Sequence, residues 1–445
     1  MRAALTRIRE QLLHLALVCP SMHGHLNPMT TLGRELARRG HRVSLVGSPD
    51  ARAKADACGF DLLPVGVPEH ESGRSAAGLA RLAELKGIAA LKLTGQLLRE
   101  VTAIGLRDIP GAIARAGIDA CVVDQVSPEG AAVAEVANRP FVVACNALAM
   151  HQEPSVPPPV LGWKHRTGWA ARLRNRLGNR ILELAVAPLA RVVNQYRTAH
   201  GLPRYRMSDR ALVGLAQVAQ QPAFFDFPRT QLPAHFHYTG PWHGPQRDTE
   251  TAAFPWEELT DRPLVYASLG TVQNRLHGVF AAILAGCAPL DVQVVVSLGR
   301  PDGVWAGAVP ANALVVPFAP QLTLLKRASV LITHAGMNTA LEGLAHGVPM
   351  VCVPVTNDQP GVAQRVEWLG AGEILKPQRV AAERVRAAVT RLLNDERYRT
   401  TARRLRDQMA AAPGVGRAAD IVEEAFRTGR HVLRGAGAVT LVRAE

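Results

Sequence analysis

The sequence predicts an α/β chain of two doubly wound, parallel-sheet domains that face each other across a cleft. Three observations predict it. At 445 residues the chain exceeds one ordinary core and fits two domains of about 200 residues each. Each half alternates short apolar strands with amphipathic helical stretches. Between the halves, residues 241–262 ("PWHGPQRDTETAAFPWEELTDR") combine Gly, Pro and charge without apolar periodicity, as a linker does. The expected division is 1–240 for the first domain, 241–262 for the linker, 263–427 for the second domain and 428–445 for a tail.

Taken in order, "HLALVCP" reads as the first buried strand, residues 28–39 as a helix closed by Gly40, and "RVSLVGS" as the second strand. After a variable region, "IDACVVDQ" and "PFVVACN" supply two more strands around the helical "PEGAAVAEVAN". "HQEPSVPPPVLGW" is Pro-rich and irregular. The second half restarts with "PLVYASLG", "VQVVVSLG", "ALVVPF", "SVLITH" and "PMVCVPV", Val/Leu/Ile-rich runs typical of parallel strands covered on both faces. In such sheets ligands bind beyond the carboxyl ends of the strands, so the residues at those ends carry the chemistry.

Composition narrows the class. Hydrophobic residues make up 48% and charged residues 20%, which excludes a disordered or fibrous chain. The six cysteines lie far apart in apolar runs without a Cys-x-x-Cys, a pattern of buried small hydrophobes rather than a zinc site or a disulfide framework. "MRAALTRIREQLLHLALVCP" has the outline of a signal peptide, but Glu10, Gln11 and His14 interrupt its apolar stretch; the expected location is cytoplasmic.

Lys and Arg outnumber Asp and Glu by 51 to 37, a net charge of +14. Nucleic acid is not the expected partner, because aromatic content is 5% and the basic residues fall in no reading motif. The densest basic patch is "WKHRTGWAARLRNRLGNRIL", residues 163–182, within a span from Glu153 to Glu183 that has no acid between them. Arg172, Arg174, Arg176 and Arg180 alternate there with Leu173 and Leu177 beside Trp163 and Trp169. This is the composition of a basic amphipathic segment in peripheral contact with a membrane; a solvated basic helix face is the alternative.

The strand ends suggest a nucleotide-sugar site. "SVLIT" ends at His334, Gly336 permits a tight turn, and a helix is expected to begin near Asn338 and Thr339, both capping residue types. Free N–H groups and the positive end of a helix dipole suit a diphosphate, and His334 and Thr339 add donors. Glu342 lies one helical turn beyond Asn338, where a carboxylate can accept from the two hydroxyls of a ribose. After the next strand, Asp358 and Gln359 offer acceptors and donors to sugar hydroxyls.

His334-Ala335-Gly336-Met337-Asn338-Thr339, Glu342 eight residues after the His, "GVPM" and Asp358-Gln359 resemble the donor-binding signature of UDP-dependent glycosyltransferases with two facing Rossmann-like domains, the GT-B fold. Plant secondary-product and bacterial macrolide enzymes belong to that family. The resemblance extends to "FAPQ", where Phe318 takes the place of the base-stacking aromatic and Gln321 that of a ribose neighbour, although the plant enzymes carry a Trp two residues further from the His. "SLGT" resembles the strand exit whose hydroxyls, Ser268 and Thr271, approach the diphosphate. Across residues 12–425 the chain is most similar to the zeaxanthin glucosyltransferase-like branch, through "AQQPAFFDFPRTQLPAHFHYTGPW" and "YASLGTVQN".

The family implies a base in the first domain, and the first strand exits through "PSMHGHLNPM". His25, the His of the Gly-His pair, takes that place, with His23 as its rival; a neutral imidazole suits deprotonation of a hydroxyl near neutral pH. Asp124 of "CVVDQ" takes the place of the carboxylate that orients the base, its other reading being a cap for the helix that follows. The implied reaction is a metal-independent, inverting transfer from a UDP-sugar, with no cofactor; no Asp-x-Asp triplet occurs in the chain. Asp358-Gln359 is the pair the family uses for glucose. A hydrophobic, hydroxylated acceptor is expected between the segment from His70 to Arg107 and "EPSVPPPV": a hydroxylated carotenoid, or a polyketide, macrolide, flavonoid or sterol. A dehydrogenase is excluded by the lack of Gly-x-Gly-x-x-Gly after the first strand. A catalytically silent sugar-nucleotide binder would keep Glu342 and Gln359, but would not need His25 with Asp124.

Overall fold

The computed structural model describes residues 12–435, apart from 75–76, 79–80, 82–86, 206–213, 243–253, 272–275 and 301–302. Seven parallel strands form the first sheet: β1 (His14–Val18), β2 (Arg42–Gly47), β3 (Asp61–Pro64), β4 (Ala120–Asp124), β5 (Phe141–Cys145), β6 (Gln217–Ala219) and β7 (Phe236–Tyr238). Their spatial order is β3-β2-β1-β4-β5-β6-β7. Six parallel strands form the second: β8 (Leu264–Ser268), β9 (Gln293–Ser297), β10 (Ala313–Val316), β11 (Ala328–Thr333), β12 (Met350–Cys352) and β13 (Gly372–Ile374), in the order β10-β9-β8-β11-β12-β13. Strands β1, β4, β5, β8 and β9 are buried along their whole length, which is why they read as continuous apolar runs instead of alternating ones.

The helices that matter below are α1 (His23–Arg38), α2 (Gly87–Ala116), α3 (Pro128–Val136), α4 (Trp169–Ala199), α5 (His277–Cys287), α6 (Gln321–Leu325), α7 (Met337–Ala345), α8 (Gln359–Trp368), α9 (Ala382–Asn394), α10 (Glu396–Ala410) and α11 (Gly414–Thr428). In each sheet the strand order reverses direction once, between β1 and β4 in the first and between β8 and β11 in the second. A crevice opens at such a reversal, beyond the carboxyl ends of the two strands. His25 and Asp124 follow one reversal; Ser268 and His334 follow the other.

The end of the expected second domain packs on the first. Helix α11 crosses back and buries Ala418, Ile421, Val422 and Phe426 in the core formed by β1, β2 and α1. Its apolar stripe at helical spacing says that it is buried, but not against which sheet. Arg39 of the first domain fixes the docking through Asp420 and Glu423. The segment after it is also ordered by packing: Val432 is buried and its N–H donates to Leu215. Residues 436–445 of the expected tail and 243–253 of the expected linker lie outside the described residues. On either side of residues 243–253, Trp242 is buried in the first core and Phe254 in the second.

All six cysteines are unpaired, and five of them are buried. No helix among the described residues is long and apolar enough to cross a membrane.

Candidate active site

Helix α1 begins at His23, five residues earlier than the Asn-Pro signal suggests. Proline favours the first turn of a helix because its nitrogen has no hydrogen to donate, yet here Pro28 is the sixth helical residue. His25 therefore sits in the first turn of α1 rather than in a loop. Its Nδ1 lies 2.7 Å from Asp124 Oδ2, whereas the rival His23 is exposed at the helix start. An ionised carboxylate only accepts, so Nδ1 carries the proton and Nε2 presents a lone pair.

Asp124 ends β4 and is 1% exposed. Oδ2 also accepts from Asn146 Nδ2 at 2.7 Å, and Oδ1 from the Val126 N–H at 2.9 Å. Three donors thus hold the carboxylate in one orientation. It does not cap α3, whose N-cap is Ser127. Burial pulls the His25 pKa down, but the charge of Asp124, its hydrogen bond, and the more distant charge of Asp358 outweigh this and raise it above the ordinary imidazole value.

Across the cleft, Ser268 at the end of β8 pairs in register with Ser297 of β9 and Thr333 of β11, so three hydroxyl-bearing residues line up at adjacent strand ends. Thr271 is exposed just beyond. The turn after β11 departs from expectation. The residue in the left-handed region is Ala335, at φ +61°, while Gly336 is extended at φ −63°. Gly336 is needed for space: a Cβ there would lie 2.4 Å from His334 Nε2. Gly270 matters in the same way, since its Cβ would lie 2.7 Å from that atom. Two glycines from two loops thus make a slot for one imidazole. Burial pushes the His334 pKa down to about 4, against the opposing influence of the Ser268 backbone, so the ring is neutral near pH 7. Its Nδ1 is buried with no hydrogen-bond partner.

Helix α7 starts at Met337 with Gly336 as N-cap and no side-chain cap, so Asn338 and Thr339 do not cap it. Its first N–H groups have no acceptor within the helix and point out of the strand exit, the arrangement an anion binds. Glu342 is 1% exposed and its carboxylate accepts from Gln321 Nε2, which also reaches Thr339 Oγ1; Tyr266 OH donates to Gln321 Oε1. Glu342 and Asn338 line a depression shared with Asn27, Thr31 and Lys54 of the first domain. Phe318 is half-buried just past β10.

Asp358 precedes α8, and Gln359 is its first residue. Gln359 Oε1 accepts from the N–H groups of Val355 and Thr356, so the carboxamide oxygen holds its own loop and the Nε2 donor is what remains for a ligand. Asp358 Oδ2 accepts from the Leu148 N–H of the first domain at 3.3 Å. Burial raises its pKa, although Leu148, His25 and Arg365 oppose this.

Asn338 contacts the first domain. Its Nδ2 donates to the Gly24 carbonyl at 3.0 Å, and its Oδ1 accepts from Gln220 Nε2 at 2.9 Å. Gln220 also donates to the Asn146 carbonyl. The hydrogen bonds close a ring: Asp124 to Asn146, Gln220, Asn338, Gly24 and, one residue along the helix, His25. Asn146 and Gln220 carry no motif, and the sequence offers only their place after strands β5 and β6 as a signal. No group of three or more His, Cys, Asp or Glu side chains able to hold a metal ion occurs among the described residues. Part of the expected acceptor region, residues 75–76, 79–80 and 82–86, lies outside the described residues.

The chain is similar to known proteins over most of its length. The UDP-glucoronosyl and UDP-glucosyl transferase family model matches residues 15–410. Zeaxanthin glucosyltransferase of Pantoea ananas is 31% identical over 96% of this chain and 99% of its own. That of Pseudescherichia vulneris is 30% identical over 93% and 98%. Among solved structures, the glycotransferase of kitacinnamycin superposes with a TM-score of 0.74 at 24% identity, over 93% of this chain and 99% of its own. The two parallel sheets are those of GT-B glycosyltransferases.

Proposed function

We propose, from the premise that this chain belongs to the UDP-glucoronosyl and UDP-glucosyl transferase family and is a UDP-glycosyltransferase acting on small molecules, that it performs a single inverting transfer with His25 as the base. One observation carries the reading: the lone pair on His25 Nε2 is fixed by the Asp124 bond at the reversal point of one sheet, and the ring of hydrogen bonds through Asn338 ties it to the N-terminus of α7 at the reversal point of the other.

In this mechanism an acceptor hydroxyl gives its proton to His25 Nε2 as its oxygen attacks the anomeric carbon of an α-linked UDP-sugar. The bond from that carbon to the diphosphate oxygen breaks, and UDP leaves with the electron pair. Asp124 stabilises the imidazolium that forms. The N–H groups at the start of α7 and the neutral His334 ring meet the charge that grows on the diphosphate. Attack from the face opposite the leaving group inverts the centre, so the product is a β-glycoside. Glu342 and Gln321 suit the ribose, Phe318 the base, Ser268 and Thr271 the diphosphate, and Asp358 with the Gln359 Nε2 the sugar hydroxyls, glucose first among them. No step in this scheme calls for a metal ion.

For the acceptor we favour a hydroxylated carotenoid, because the relatives reported above are zeaxanthin glucosyltransferases by name. A polyketide, macrolide, flavonoid or sterol is the second reading. Six unpaired cysteines suit a reducing compartment, the cytoplasm. The test is a UDP-release screen of UDP-glucose against zeaxanthin and a panel of phenolic and macrolide acceptors. Turnover with zeaxanthin alone supports the first reading; turnover only with the others replaces it.

A further inference from the structure

The outward face of α4 is not that of an ordinary surface helix. Trp169, Leu173, Leu177, Ile181 and Leu184 are 80%, 47%, 58%, 62% and 63% exposed. Their spacing of four, four, four and three residues puts them on one stripe of the helix. The opposite face, with Ala171, Asn175, Gly178 and Asn179, is the buried one. Scattered apolar residues at a surface are normal, but a run of five on consecutive turns is not.

Charge selects the occupant. Arg172 and Arg176 flank the stripe, are exposed, and form no ion pair with any described residue. Arg174 is instead held over the Trp163 ring and by the Lys164 carbonyl, and Arg180 by Glu183. The thirty-residue helix α2, packed on α4, exposes Leu98 and Val101 as well. A helix with apolar residues along one stripe and arginines at its edge lies in the plane of a bilayer, with the apolar groups among the acyl chains and the guanidinium groups among anionic headgroups.

We infer that α4 is a peripheral docking surface for an anionic lipid bilayer. The segment leading into it supports a role in acceptor capture. Residues 159–162 pack on the start of α8, where a Cβ on Gly361 would lie 2.3 Å from the Pro159 carbonyl and one on Gly162 would lie 2.8 Å from Pro360 Cβ. A bilayer seated on α4 is thus joined by one short loop to the helix that begins with Gln359.

Flotation of the full chain with vesicles tests this. Binding to phosphatidylcholine vesicles containing one-third phosphatidylglycerol should exceed binding to phosphatidylcholine alone by about tenfold, and should fall as salt is raised. W169S/L177S/I181S should lower binding to the anionic vesicles by about 100-fold, and R172E/R176E by about tenfold with loss of the lipid preference. Melting temperature and UDP affinity of both variants should match the parent chain, since neither set touches the cleft. A parent chain that ignores the vesicles, or binds them equally whatever their charge, overturns the inference. So does sedimentation showing a concentration-dependent dimer that W169S/L177S/I181S dissolves, because the stripe would then be an interface between copies.

Discussion

Asn338 donates to the Gly24 carbonyl, the acceptor that Pro28 leaves without its helical partner. In an unbroken helix the N–H four residues on would fill that carbonyl, but residue 28 has none to give. A side chain of the second domain fills it instead, next to His25. Asn338→Ala should therefore act through the placement of His25 rather than through the donor. Two hydrogen bonds of roughly 1 kcal/mol each predict a fall in kcat of about thirtyfold, with UDP affinity nearly unchanged by calorimetry. An affinity loss as large as the loss in kcat would instead make Asn338 a donor ligand.

Removing the proposed base separates chemistry from binding. His25→Ala should lower kcat by about 100-fold to 10,000-fold, the usual worth of a general base, while leaving the UDP dissociation constant within a factor of about two. Asp124→Asn should also cost catalysis, because a carboxamide can face Nδ1 with either its donor or its acceptor and no longer favours one tautomer. Transfer retained in His25→Ala, measured by UDP release, would remove His25 from the mechanism.

The pH dependence follows from the raised pKa of His25. As the proposed base it works only when neutral, so kcat should fall as pH drops through a value above the ordinary imidazole pKa of about 6.5. Asp124→Asn removes the charge that raises it, and the acid limb should move to lower pH even as the maximum falls. Stability has the opposite sign. A folded pKa above the unfolded one stabilises fully below about pH 6.5, and that contribution fades as pH rises through the folded value. A limb that does not move in Asp124→Asn would show that another group titrates.

The strands and the residues at their ends were legible because parallel strands buried on both faces leave continuous Val/Leu/Ile runs. The three-residue strands β6, β7 and β13 leave no such run. Asn27-Pro28 is a strong local start signal that points five residues past the true start of α1, and only the contact with Asn338 shows how a proline is tolerated further in. A Gly after a strand suggests a conformational role, but that of Gly336 is steric, a distinction that φ and the neighbouring ring reveal and the letter Gly does not. The place of α11 against the first sheet depends on contacts nearly 400 residues apart in the chain, such as that of Arg39 with Asp420 and Glu423. Those have no local signature.

Gly336→Ala isolates that steric role. At φ −63° the backbone accepts an L-residue, so folding should be little affected. The new methyl would lie 2.4 Å from His334 Nε2 and must displace the ring. UDP binding should weaken by about tenfold, as in His334→Ala, the usual worth of about one hydrogen bond to a charged group. The double variant should lose little more than either single one, because both remove the same contact. Additive losses by calorimetry would mean that Gly336 acts through the helix start and not through His334.

Helix α8, proposed to bind the sugar, is held in place from the first domain. Asp226 and Arg365 are buried, and Asp226 Oδ1 accepts from Arg365 Nη2 at 2.6 Å and Nε at 3.0 Å. Oδ2 accepts from Arg229 Nε and from Tyr238 OH, both at 2.7 Å. Arg365 lies on α8, seven residues from Asp358, with its guanidinium 4.3 Å from the centre of the Phe227 ring. One buried carboxylate of the first domain thus fixes the helix that carries Asp358 and Gln359. Burial alone would raise the Asp226 pKa; the two arginines, with the hydrogen bonds from Arg365 and Tyr238, hold it well below the carboxylate range instead. Asp226→Asn leaves two buried guanidinium groups facing a neutral amide, and breaking a buried pair in this way costs about 3–5 kcal/mol. Urea unfolding should show a loss of that size, and the KM for the UDP-sugar should rise more than the dissociation constant of UDP, because in the proposed donor site only the sugar reaches α8. A loss below about 1 kcal/mol, the range of a surface pair, would mean that the cluster does not hold the domains together.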